Sequence, residues 1–153
     1  MDRDQAGNGN DAVNLKILLT EDQRGPFPVS VESLWFKPIG NNFQLKNVPF
    51  FIDELSFEDV VSVTLISDDT YEITSVVTQS LNSTVWVYVK EEFSGHKLIK
   101  ELLSLGCDVE SGVIDDYYAV NVPEGSDYIK ISELLDTAED SKKILVSYAS
   151  MRC

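Results

Sequence analysis

Residues able to do covalent or metal chemistry are few and scattered. The chain has one histidine, His96, and two cysteines, Cys107 and Cys153. Nucleophilic catalysis requires a nucleophile, a base and a group that orients the base. Here the base would have to be His96 or a carboxylate of raised pKa, and no Gly-x-Ser-x-Gly occurs. A hydrolase built on Asp or Glu with His96 is therefore a minor reading. Zinc is argued against by the lack of any His-x-x-x-His or Cys-x-x-Cys pair. Asp68-Asp69 lacks the alternating acids and terminal Glu of a calcium loop, and neither glycine-rich phosphate motif is present. No cofactor and no metal are expected. The adjacent acids Asp53-Glu54, Glu58-Asp59, Glu91-Glu92 and Asp115-Asp116 look like dyads only on paper, because neighbours on an extended chain point to opposite faces. Cys107 lies in an apolar segment and reads as a packed structural thiol.

The distribution of charge is more informative. Among 153 residues, 12 Lys+Arg face 26 Asp+Glu, for a net charge of −14. No basic residue occurs between Lys46 and Lys90, where Asp53, Glu54, Glu58, Asp59, Asp68, Asp69 and Glu72 lie. The stretch between Lys100 and Lys130 is equally free of basic residues and holds Glu101, Asp108, Glu110, Asp115, Asp116, Glu124 and Asp127. A single sign of charge gathered on turns and strand ends sums to a field that repels phosphate backbones and anionic headgroups and attracts a basic protein. Nucleic acid and membrane are thus excluded as expected partners, and a basic protein is favoured. No export signal and no run of about 18 apolar residues is present, so a reduced, cytoplasmic protein is expected.

Hydrophobic periodicity supplies the elements. Residues 1–12 are rich in Gly, Asn and Asp and read as a flexible tail. Period-two patterns over Val13–Leu19, Val29–Lys37, Asn42–Val48, Val60–Ile66 and Tyr71–Thr78 predict five strands and no helix up to residue 80, consistent with a small β-barrel over 13–80. Asp68-Asp69 sits in the tight turn between the last two. From 83 to 151 the rhythm changes. Strand Ser83–Lys90 is followed by helix Gly95–Leu105, N-capped by Ser94 and stopped by Gly106; strands Cys107–Val113 and Tyr117–Val122 come next. A helix opening at Ser126 or Asp127 carries Ile131, Leu134, Leu135 and Ala138 on one stripe, and strand Ile144–Ala149 closes the pattern. This βαββαβ order predicts a ferredoxin-like α+β sandwich, and the short Ser80-Leu81-Asn82 junction predicts that the two halves pack as one rigid unit.

Aromatic residues mark one face of that sandwich. Trp86 and Tyr88 share a side of their strand, and Tyr117 adds a ring to the same sheet. Single-strand RNA-binding sheets use such rings with basic residues, which Tyr117–Val122 lacks. Burial against the barrel is the expectation; an open face would be a protein-binding patch.

With Val31-Glu32-Ser33-Leu34-Trp35, Asn47-Val48-Pro49-Phe50-Phe51, Glu58-Asp59-Val60-Val61 and Leu105-Gly106-Cys107, the chain resembles a bacterial family of short acidic proteins of unknown function. The resemblance covers most of residues 13–150 and implies a cytosolic bacterial protein but no activity. Val31, Ser33, Trp35, Phe50 and Phe51 fit barrel-core positions, and Pro49 a strand exit. The run Phe93-Ser94-Gly95-His96-Lys97-Leu98, with Leu102 and Leu105-Gly106-Cys107-Asp108-Val109, is similar to the first strand-helix-strand of small-molecule-sensing regulatory domains, with Ser94 in place of their Pro. That likeness implies an amino acid bound near the helix start; the alternative function is a small-molecule-binding regulatory module with a metabolite near Ser94-Gly95-His96 or in the cleft between the halves. The leading expectation is a non-enzymatic interaction protein, specifically an immunity protein that neutralises a basic toxin, a nuclease by preference. Asp53, Glu54, Glu58, Asp59, Asp68, Asp69, Asp115 and Asp116 would meet the partner's Lys and Arg, with Trp86 or Tyr117 as anchors.

Overall fold

Alternation sets the inside of the first half. In the computed structural model, which describes residues 11–90 and 93–152, strand β1 (Val13–Leu18) buries Leu15 and Ile17 and turns Asn14, Lys16 and Leu18 outward. The expected tail over residues 1–12 lies almost wholly outside the described residues, as do Glu91-Glu92 and Cys153. One helical turn follows, α1 (Glu21–Arg24), where no helix was expected. Its signal is present in the sequence as a capping box: Thr20 Oγ1 accepts from Gln23 N, and Gln23 Oε1 accepts from Thr20 N.

Strands β2 (Val31–Ile39), β3 (Asn42–Leu45), β4 (Val60–Ser67) and β5 (Thr70–Thr78) complete a closed barrel in the order β1-β2-β3-β4-β5. All neighbours are antiparallel except the closing pair, in which Lys16 and Ile17 of β1 run parallel to Thr70 and Tyr71 of β5. The phase of β2 corrects the expectation. Glu32, Leu34 and Phe36 are buried, while Ser33 is exposed and Val31 and Trp35 are half-buried. A slip of one residue reverses every side chain, and both phases of this strand carry apolar residues. Glu32 argued for the wrong phase because a buried carboxylate is costly. That cost is offset by Phe50 N and Phe51 N, which donate to it at 2.7 and 3.1 Å. The expected strand to Val48 ends at Leu45, and Lys46–Asp59 becomes a long connector.

The second half contains β6 (Ser83–Val89), α2 (His96–Ser104), β7 (Asp108–Glu110), β8 (Tyr117–Val122), α3 (Tyr128–Asp140) and β9 (Ile144–Ser150). Its four-stranded sheet has the order β7-β8-β6-β9, with antiparallel neighbours throughout. Gly95 takes the N-cap position of α2 without a side-chain cap, and the expected cap Ser94 instead accepts weakly from His96 N. Asp127 caps α3 by accepting from Lys130 N. Strand β7 is three residues long, shorter than expected, because Gly112 turns the chain at φ 94°.

Two apolar clusters lie on opposite faces of this sheet. Leu102 of α2 and Ile131 and Leu135 of α3 pack with Val85, Val87, Val89, Val120 and Val122. On the other face Tyr117 and Ala119 join the barrel cluster, with Trp86 and Tyr88 packed against it. The aromatic face is therefore covered by the barrel.

Candidate functional site

The connector Lys46–Asp59 lies where the halves meet, and three buried carboxylates hold it. Glu32 takes Phe50 N and Phe51 N; Glu110 of β7 accepts from Asn47 Nδ2 and Val48 N, the latter at 2.7 Å. Asp59, fully buried, accepts from Ser56 N, Ser80 N and both terminal nitrogens of Arg152. Arg152 also donates to Ser80 O and Glu54 O. Beside it Ser56 Oγ bonds to Thr84 and Ser150, and Glu54 N donates to Ala149 O. Hydrogen-bonded carboxylates at a domain junction fix geometry, and a fork–fork Arg–carboxylate pair fixes it most tightly.

This network corrects two assignments. Asp59 cannot meet a partner's cation, because it is fully buried and neutralised internally. Tyr117 cannot anchor a partner, because its ring is stacked among Phe27, Phe50 and Phe51 and its hydroxyl donates to Phe50 O at 3.0 Å. Burial, and next the charge of Glu32, push the Tyr117 hydroxyl pKa well above its usual value. Trp86 is half-buried, with its indole N–H donated to Pro49 O at 2.7 Å.

The remaining acids are accessible but dispersed. Asp53 and Glu54 lie beside the end of β9, and Asp115 and Asp116 lie at the opposite end of β6, where Val89 N donates to Asp116 O. Seven strand residues separate those ends, roughly 20 Å. Asp68 and Asp69 occupy the β4–β5 turn. Asp69 pairs with Lys16 at 2.7 Å, and that hydrogen bond, then the lysine's charge, lowers the Asp69 pKa. Glu58 pairs with Lys46 at 3.4 Å. Asp53, Glu54, Asp68, Asp115 and Asp116 form no ion pair with a described residue.

Two cavities bear on the binding of a small ligand. One of about 300 Å³ lies between the start of α2 and the end of α3, lined by Ser94, Gly95, Lys97, Thr137 and Lys143 among others. A second, of about 330 Å³, opens where α1 and the barrel meet β6 and β9. His96 is exposed on α2, apart from Cys107, which is buried and free. Burial, and then the charge of Asp108, push the Cys107 thiol up to about 11, so it is protonated at neutral pH and no poised nucleophile. Among the described residues no three His, Cys, Asp or Glu side chains gather as metal ligands, and no helix is long and apolar enough to cross a membrane.

The family described as Domain of unknown function (DUF4265) matches residues 32–145. This chain belongs to the DUF4265 family. The match runs from the buried Glu32 through the connector and both helices; α1 and Arg152 lie outside it. No curated protein matches the DUF4265 chain. A solved structure described as "Novel crystal structure of a hypothetical protein from Neisseria gonorrhoeae" is similar at a TM-score of 0.76, over 95% of this chain and 99% of that one. Identity is 16%, so the likeness concerns the fold alone. Within the DUF4265 chain, sequence reasoning missed Glu32 and Glu110 as internal ligands of the connector. The available signal was an acid inside the apolar run Val31–Phe36. Arg152 carried none, being 93 residues from its partner.

Proposed function

We propose that this protein is a non-catalytic binding protein that neutralises a basic bacterial toxin, a nuclease by preference, in the cytoplasm. The observation supporting this reading is the set of exposed acids without an ion-pair partner among the described residues, Asp53, Glu54, Asp68, Asp115 and Asp116, on a scaffold of net charge −14. Because they are dispersed over three separate places, they act as a steering field rather than a single clamp, and such fields raise on-rates by ~10–10³-fold at low salt. The polar seam around Lys46–Asp59 supports the rigid, pre-organised scaffold an inhibitor needs. The second half is read as a ferredoxin-like sandwich, on the strength of its βαββαβ order and sheet order β7-β8-β6-β9. The units are taken as 13–80 and 83–151.

The test begins with the adjacent reading frames in the source genome, and with the toxin domain they encode. The purified protein is expected to bind that domain, to block its activity, and to associate more slowly as salt is raised. Replacing the five acids by Asn or Gln should slow association and leave folding intact. A neighbouring toxin domain that the protein neither binds nor inhibits would overturn the reading, as would a salt-independent on-rate. A second reading, a small-molecule regulatory module, is favoured by the cavity beside Ser94 and Gly95, where Lys97 and Lys143 offer cations and Ser94 and Thr137 offer hydroxyls. A thermal shift against an amino-acid and nucleotide panel separates the two, since a ligand at 100 times Kd adds ~2.7 kcal/mol.

A further inference from the structure

The second cavity has a different composition. Phe27, Trp86, Tyr88 and Leu145 line it, with Ser147 on β9 and Arg24 at the end of α1. The polar tips of its deeper rings are already satisfied inside the protein: the Trp86 indole N–H by Pro49 O and the Tyr117 hydroxyl by Phe50 O. What these two side chains and Phe27 have left to offer the cavity is ring carbon. Phe27 is held edge-on to both Phe51 and Tyr117, with centroids 5.7 and 5.4 Å apart. Such a wall selects a flat, apolar group by offset or edge-to-face packing. Its volume of about 330 Å³ suits one small ligand, at the low end of the ~300–1,000 Å³ range of ligand sites.

Arg24 supplies the polar specificity. The Arg24 guanidinium has no hydrogen bond or ion pair with any described residue; Lys37, Lys100, Lys130 and Lys142 likewise form no ion pair with one, and Arg24 differs from them in lining this cavity. Asp22 lines the same cavity and forms no ion pair with Arg24. The backbone of Arg24 is fixed nonetheless. Arg24 N donates to Thr20 O, Arg24 O accepts from Phe27 N, and the capping box locks the turn. A guanidinium carried on a fixed backbone, without a partner among the described residues and beside a flat apolar wall, matches a carboxylate carried on an aromatic ring, through two parallel N–H···O bonds. We infer that this cleft binds a small aromatic carboxylate, its ring against Phe27, Trp86 and Tyr88 and its carboxylate on Arg24. The inference stands apart from toxin binding, because neither cavity wall contributes to the exposed acids invoked there.

Three isosteric probes test it: 2-naphthoate, 2-naphthalenemethanol and 2-naphthylmethylammonium, titrated into the full chain by calorimetry, with the Trp86 indole N–H followed by NMR. 2-Naphthoate is expected to saturate and shift that resonance, and to bind about tenfold tighter than the neutral alcohol. Arg24→Gln should remove that tenfold preference while leaving the melting temperature unchanged, and Ser147→Trp, at an exposed strand position, should block the cleft to all three. Failure of 2-naphthoate to saturate at millimolar concentration would overturn the proposal. So would equal affinity for the ammonium probe, or an Arg24→Gln protein that binds 2-naphthoate as wild type does.

Discussion

Replacing Arg152 by methionine keeps most of the aliphatic stem and deletes the guanidinium, which strands the Asp59 carboxylate in a site with no solvent contact. The carboxylate retains Ser56 N at 3.0 Å and Ser80 N at 2.8 Å, so its charge is not wholly unsupported. Removing one partner of a buried pair costs ~3–5 kcal/mol, and the two surviving amides place this case near the lower end, about 3 kcal/mol. Loss of the bonds to Ser80 O and Glu54 O adds about 1 kcal/mol in total. A fall of ~3–4 kcal/mol in a chain of this size lowers Tm by roughly 6–16 °C. The assay is urea and thermal unfolding followed by far-UV circular dichroism on wild type, Arg152→Met, Asp59→Asn and the double variant. The double variant should recover about 2 kcal/mol relative to Arg152→Met, because the stranded charge is gone. A cost below ~1 kcal/mol, the range of exposed ion pairs, would refute the reasoning, and so would a double variant no more stable than Arg152→Met.

The remaining predictions concern other internal contacts. Glu32→Gln retains one acceptor but sets an amide N–H₂ against Phe50 N or Phe51 N, and should cost ~1–3 kcal/mol, read as a lower urea midpoint at unchanged m. A Cβ at Gly95 would stand 2.9 Å from Val89 Cγ2, so Gly95→Ala should destabilise by ~1–3 kcal/mol. Val89→Ala in the same chain should make the added methyl tolerable, giving a favourable coupling in a double-mutant cycle. In a Cys153→Ser background, Cys107 should resist alkylation at pH 8 until urea unfolds the protein. Its folded thiol holds a proton to about 11, whereas the free thiol releases it at 9.0. The unfolded chain therefore deprotonates first, and stability should fall as pH rises through that interval.

Where one rule controlled a segment, the sequence was readable. Val85, Val87 and Val89 alternate with Trp86 and Tyr88, and the structure puts the valines under the helices and the rings against the barrel. Ile131, Leu134, Leu135 and Ala138 share a helical stripe, and all pack with that same cluster. Reading failed where two rules competed. In β2 the apolar residues occupy both phases, and only the distant amides of Phe50 and Phe51 decide that Glu32 goes inside. The neighbours Glu58 and Asp59 part company, Glu58 facing Lys46 at the surface while Asp59 turns inward to Arg152. Which of the two would be buried depended on a residue at the far end of the chain. The cleft of about 330 Å³ was legible only as a place between the halves, because its lining is shaped by elements from both of them and by α1, a single turn.

The partners of the Lys46–Asp59 connector are spread along almost the whole sequence, and this has a consequence during biosynthesis. Strands β1 to β5 leave the ribosome first, but Asn47 and Val48 await Glu110, Glu54 awaits Ala149, and Asp59 awaits Arg152, 93 residues later. At ~5–20 residues per second that delay is roughly 5–20 s, during which the bonds to Glu110, Ala149 and Arg152 are missing, while Glu32 is already there to take Phe50 N and Phe51 N. Pairings so distant in sequence are slow to form, since the intervening chain must be closed before any of them contributes. The connector is begun early and finished last, and a nascent chain halted anywhere in the second half would lack its bonds to Arg152.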